Sequence, residues 1–128
     1  MLNVTCAIIL FGDKILVTQR GEEMKLPLKW EFPGGKVEDK ESDLECIKRE
    51  IREEVNIEIK ILNKLPNSIY DYGTFVINLI PFIANYVSGE IKLAEHKDYK
   101  LLYKSDLKYL DWAEADLPIV DQFLKLKL

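Results

Sequence analysis

The stretch Gly35–Ile57, GKVEDKESDLECIKREIREEVNI, decides how this chain folds. Ser42 followed three residues later by Glu45 forms a capping box: the hydroxyl serves a backbone N–H of the first turn, and the carboxylate reaches back to the cap. Leu44, Ile47, Ile51 and Val55 then recur at helical spacing and predict a helix over Ser42–Glu54 with one apolar stripe turned to a core. Asn56 marks the stop, because Asn is the usual substitute for Gly at the left-handed residue that closes a helix. Glu50, Glu53 and Glu54 fall at i, i+3 and i+4 on the face opposite the stripe, near the helix C-terminus. Like charges at that spacing cost roughly 0.2–0.5 kcal/mol per pair. The helix dipole disfavours anions there by about 0.3–1 kcal/mol. Arg49 and Arg52 offset part of this cost without explaining the clustering.

Taken alone, three glutamates on a helix are a solvated acidic face. The other reading is a hard divalent cation: Mg²⁺ takes oxygen ligands in octahedral geometry and is commonly held by a few carboxylates plus substrate phosphates. Gly34-Gly35 reads as a tight turn whose backbone carbonyl can approach such an ion with no side chain in the way. The wider spacing favours the cation. Gly35, five residues, Glu41, seven residues, Arg49-Glu50-Ile51-Arg52-Glu53-Glu54, one residue, then Asn56-Ile57 resembles the Nudix box, G-x5-E-x7-R-E-U-x-E-E-x-G-U, where U is aliphatic. Every defined position matches except the late glycine, replaced by Asn56, which tolerates the same left-handed backbone. Trp30–Val37 (WEFPGGKV) resembles the segment leading into the box in MutT-type members, and Ile15–Arg20 resembles their second strand.

The resemblance implies a Nudix fold and a Mg²⁺-dependent pyrophosphohydrolase, with Mn²⁺ as a substitute ion. It implies that Glu50, Glu53 and Glu54 bind the metal, joined by the Gly34 carbonyl and by an acid from a later loop, Glu95 with Asp98 as the alternative. Glu50 is the first candidate for general base and Glu53 the second, while Arg49 orients the carboxylates. Gly35, Glu41 and Asn56 complete the motif, Glu41 standing behind the ligands or at a substrate-borne metal. Arg20 and Lys36 look like the phosphate-contacting residues of MutT-type enzymes. Ala113–Val120 resembles the start of the last helix in CTP-pyrophosphohydrolase-like members. There Asp116 either accepts from the cytosine amine or the guanine N–H edge, or caps the helix. Tyr70, Tyr72 and Phe75 either stack on a base or pair across a hairpin. His96, the sole histidine, reads as a surface residue.

The rest of the chain agrees with such an enzyme. Its 128 residues fit one domain, 1–128. A net charge of −4 gives no support to nucleic-acid polymers or anionic membranes, which favour a basic face. Cys6 and Cys46 read as buried free thiols, and the start of the chain lacks the features of a signal peptide, so the protein reads as cytoplasmic. Val4–Phe11 and Lys14–Arg20 around Gly12-Asp13 read as a hairpin, and Trp30–Pro33, Ile57–Leu65, Thr74–Val87 and Tyr99–Tyr103 as further strands. Asp71-Tyr72-Gly73 is a turn, and Ser105 is a candidate cap for a short helix. The expected fold class is α/β, a mixed β-sheet between helices (α/β/α), in a monomer or homodimer. The expected function is hydrolysis of a small nucleoside triphosphate to monophosphate and pyrophosphate. A hydrolase of another nucleoside diphosphate-linked compound and a non-catalytic nucleotide-binding module are the alternatives.

Overall fold

The computed structural model describes residues 1–127. Gly12, in the left-handed region at φ 65°, turns the chain between β1 (Leu2–Phe11) and β2 (Lys14–Gln19). After β3 (Trp30–Glu31) comes β4 (Gly34–Lys36), then α1 (Asp43–Val55), β5 (Glu58–Lys64), β6 (Ser68–Asp71), β7 (Val76–Ser88), β8 (Asp98–Tyr103) and α2 (Leu117–Lys125). The strands form one mixed sheet with the central order β3-β2-β1-β7-β5, in which β1 and β7 run parallel and the other pairs antiparallel. Strand alternation splits the core in two. Cys6, Ile8, Ile15 and Val17 pack with Ile119, Val120 and Phe123 of α2, whereas Ala7, Ile9 and Leu16 pack with Ile47, Ile51 and Val55 of α1. The sheet therefore lies between two helices, as expected.

Both ends of α1 follow their local signals. Ser42 accepts from Glu45 N while Glu45 accepts from Ser42 N, and Asn56 closes the helix at φ 67°. Asn56 Nδ2 also donates to the Glu90 carbonyl at 3.0 Å. Asn56→Ala is expected to cost about 1–2 kcal/mol, because Ala lacks the local hydrogen bonding that lets Asn adopt this backbone. Asn56→Gly should be close to neutral, and urea midpoints check both.

Four expectations need correction. Leu44 is 49% exposed, and Cys46 occupies the buried position on that side of the helix. Gly34-Gly35 is not a turn but part of β4, registered Thr5↔Gly35 and Cys6↔Gly34 against β1. Glycine is needed at 34 for close approach, since a Cβ there would lie 1.9 Å from the Thr5 carbonyl oxygen. Ser105 caps nothing, being inside a 3₁₀ turn, Lys104–Tyr109, that begins after Tyr103. Asp116 precedes α2 but its side chain makes no capping bond, being turned into the protein instead.

Candidate active site

The C-terminal half of α1 carries its acids beside β4. Arg49 is the hub. Its Nε and Nη2 donate to the two Glu41 oxygens (2.6 and 2.9 Å), and its Nη1 donates to Glu50 Oε1 (2.9 Å) and Glu53 Oε2 (3.0 Å). Nη2 also reaches the Lys36 carbonyl at 3.2 Å, tying helix to strand. The Arg49 hydrogen bonds, helped by the Glu38 N–H, hold the Glu41 carboxyl down at about 2. The Glu41 contribution to stability is thus present above the ordinary carboxylate range and lost as pH falls toward that value. Glu50 differs: its side chain is 13% exposed, and burial pushes its carboxyl up despite Arg49. Burial also raises Glu54, with the nearby Glu95 charge adding to it. Glu95 therefore stands close to the cluster, whereas Asp98 lies in β8 and accepts from the N–H of Tyr99.

Among the described residues no three acidic, histidine or cysteine side chains converge tightly enough to grip an ion as they stand. The donor chemistry nevertheless fits a hard divalent cation. Two partly buried carboxylates are pushed toward protonation by burial and like charge, and a cation relieves both. Gly35 keeps the space beside them open, because a Cβ there would fall 2.2 Å from the Glu50 carboxylate.

Across β4 lies a cavity of about 350 Å³ bordered by Arg20, Phe32, Lys36, Tyr72, Phe75 and Asp116. Asp116, 4% exposed, accepts from Phe32 N at 2.9 Å, and burial raises its carboxyl well above the usual range, with Glu31 adding to the shift. Tyr72 stacks on Phe75 (centroids 5.0 Å apart) while its hydroxyl accepts from Ala115 N at 2.8 Å. Lys25 Nζ sits 4.5 Å over the Phe75 ring. Tyr70 is tilted against Tyr72 and does not border the cavity. Arg20 is engaged with Glu31 through two bonds of 3.0 and 3.1 Å, whereas Lys36 is exposed.

A family description of the NUDIX domain matches residues 1–123. The chain belongs to the Nudix family. A CTP pyrophosphohydrolase of Escherichia coli (strain K12) is 30% identical over 127 residues, covering 99% of this chain and 94% of that protein. An 8-oxo-dGTP diphosphatase of Buchnera aphidicola is 31% identical over 124 residues, covering 97% and 94%. The solution structure of MutT, a Nudix hydrolase of methicillin-resistant Staphylococcus aureus 252, superposes with a TM-score of 0.78 at 38% identity, covering 96% and 95%. With such Nudix relatives the chain is a hydrolase of phosphorus-containing acid anhydrides.

Two residues of this Nudix site were not singled out from the sequence for any role in it. Glu31 joins the Arg20 guanidinium to His96, whose Nε2 lies 2.7 Å from Glu31 Oε2. The expectation that His96 is a surface residue is wrong, since its side chain is 4% exposed, and its Nδ1 lies 4.0 Å from Glu54 Oε2. The available signals were adjacency alone: Glu31 sits three residues before the Gly pair, and His96 follows Glu95.

Proposed function

We propose that this enzyme hydrolyses a nucleoside triphosphate of the cytidine or oxidised-guanine type to monophosphate and pyrophosphate, using Mg²⁺ with Mn²⁺ as substitute. One observation carries the reading: β4 is a shared wall. Gly35 abuts the Glu50 carboxylate on one side, and Gly34, Gly35 and Lys36 border the cavity on the other. A phosphate chain leaving the cavity past β4 reaches the acids directly. Glu50, Glu53 and Glu54, with the Gly34 carbonyl and Glu95, are the residues that would hold the cation. When bound, that ion would neutralise the phosphate chain and acidify water. Glu50 takes the proton of the attacking water, and Arg49 fixes the direction of Glu50 and Glu53. Lys36 is the freer cation for a phosphate, and Arg20 contributes from its Glu31 pairing. Asp116, buried where it lines the cavity, accepts from a base; the cytosine amine and the guanine N–H edge both supply donors. The names of the CTP and 8-oxo-dGTP relatives support those two bases.

The test is a product-resolved screen of canonical, oxidised and methylated nucleotides with each ion. Release of pyrophosphate from a subset of bases is expected. Binding without turnover, or release of orthophosphate alone, would overturn the reading. In the same screen Asp116→Ala should lower discrimination among bases by about 1–3 kcal/mol, roughly 5- to 150-fold. An equal loss for every base would remove Asp116 from recognition.

A further inference from the structure

His96 Nδ1 is buried without a hydrogen-bond partner among the described residues. The other ring nitrogen faces the Glu31 carboxylate, which Arg20 keeps in place with two hydrogen bonds. In a neutral imidazole the hydrogen must then sit on Nε2, leaving a lone pair on Nδ1. That lone pair faces Glu54 Oε2 at 4.0 Å. A buried, unpartnered ring nitrogen confronting a carboxylate is an unfavourable arrangement unless something positive stands between them.

We propose that His96 Nδ1 is a nitrogen ligand to a divalent cation shared with Glu54, its tautomer fixed by Glu31. Metal-binding histidines almost always donate their second N–H to a carboxylate or carbonyl, and Glu31 supplies that acceptor. Two ligands of one octahedral ion with bonds of about 2.1 Å stand about 3.0 Å apart when adjacent and about 4.2 Å when opposite. The observed 4.0 Å is close to the opposite arrangement, in which the ion stands between the two atoms. Glu95, next in the chain to His96, is a candidate further donor, and water and phosphate oxygens would supply the rest. A nitrogen ligand shifts preference from Mg²⁺ toward transition ions such as Mn²⁺ or Co²⁺. This inference rests on the carboxylate site proposed above and adds a ligand of another kind.

Because His96 is the only histidine, ¹⁵N-histidine labelling reports on it alone. With Mn²⁺ as the probe, electron spin echo modulation of the whole chain should show a directly bound nitrogen whose pattern changes on labelling. No variant is needed for that result. His96→Gln, which keeps an N–H donor for Glu31, should abolish the coupling and weaken Mn²⁺ binding about tenfold or more, with a smaller loss of Mg²⁺ affinity. Bound Mn²⁺ without histidine coupling would overturn the inference. So would ¹⁵N NMR of the Mg²⁺-loaded protein showing a hydrogen on Nδ1. If either occurred while nucleotide turnover persisted, only the His96 assignment would fall.

Discussion

Glu50→Gln is expected to lower kcat by about 10²–10⁴-fold, the range for loss of a general base, with the fold intact. The amide retains an oxygen for Arg49 Nη1, so the 2.9 Å contact to the helix's own arginine survives in kind. Stability should hold or rise. Burial raises the Glu50 carboxyl, so the folded protein keeps a proton that the unfolded chain releases. That difference favours folding at low pH and is lost as pH rises from the ordinary carboxylate range through the raised value. Gln has no such titration, and the urea midpoint at neutral pH should match or exceed that of the parent. Glu53→Gln also removes most activity if Glu53 holds the ion, but its side chain is 57% exposed and its replacement is structurally silent. Full activity in Glu53→Gln would contradict its place among the ligands. Glu50→Gln with nearly full kcat, beside an inactive Glu53→Gln, would move the base to Glu53.

What could be read from the sequence was local. The capping box, the helical spacing of Ile47, Ile51 and Val55, and the left-handed Asn56 are contained within a few turns of chain, and α1 starts and ends where they say. The same spacing misled at Leu44, which lies with Ile61 and Leu62 in an open surface groove rather than in the core. Gly34-Gly35 carries a turn signal in isolation, and only the arrival of β1 against it shows that contact distance is what demands glycine. Asp116 sits where a cap belongs, yet its partner is Phe32, 84 residues away. The Glu31–His96 contact spans 65 residues. No periodicity or propensity encodes such pairs, because the sheet order brings them together: β2 lies between β3 and β8, with Glu31 in β3 and His96 just before β8.

The two glycines of β4 should separate stability from catalysis. At Gly34 an added Cβ meets backbone, the Thr5 carbonyl oxygen at 1.9 Å and Cys6 Cα at 2.7 Å, and no rotamer change relieves it. Gly34→Ala must push β4 off β1, breaking the Cys6↔Gly34 register at the rim of the cavity. Overpacking of this kind costs about 1–3 kcal/mol or more, and the urea midpoint should fall accordingly. At Gly35 the three atoms nearest such a Cβ all belong to the Glu50 carboxyl group, at 2.2, 2.2 and 2.6 Å. Neither glycine has a positive φ, so Ala is tolerated by the backbone itself. Glu50 can swing away, giving up its place at Arg49 Nη1, and the fold survives with the acid misdirected. A displacement of about 1 Å at a reacting group costs on the order of 10²-fold, so Gly35→Ala should lose about that much in kcat with an unchanged midpoint. If Gly35→Ala instead unfolds the protein while Gly34→Ala keeps its stability, the contact between β4 and Glu50 does not position the acid, and the shared wall loses its catalytic meaning.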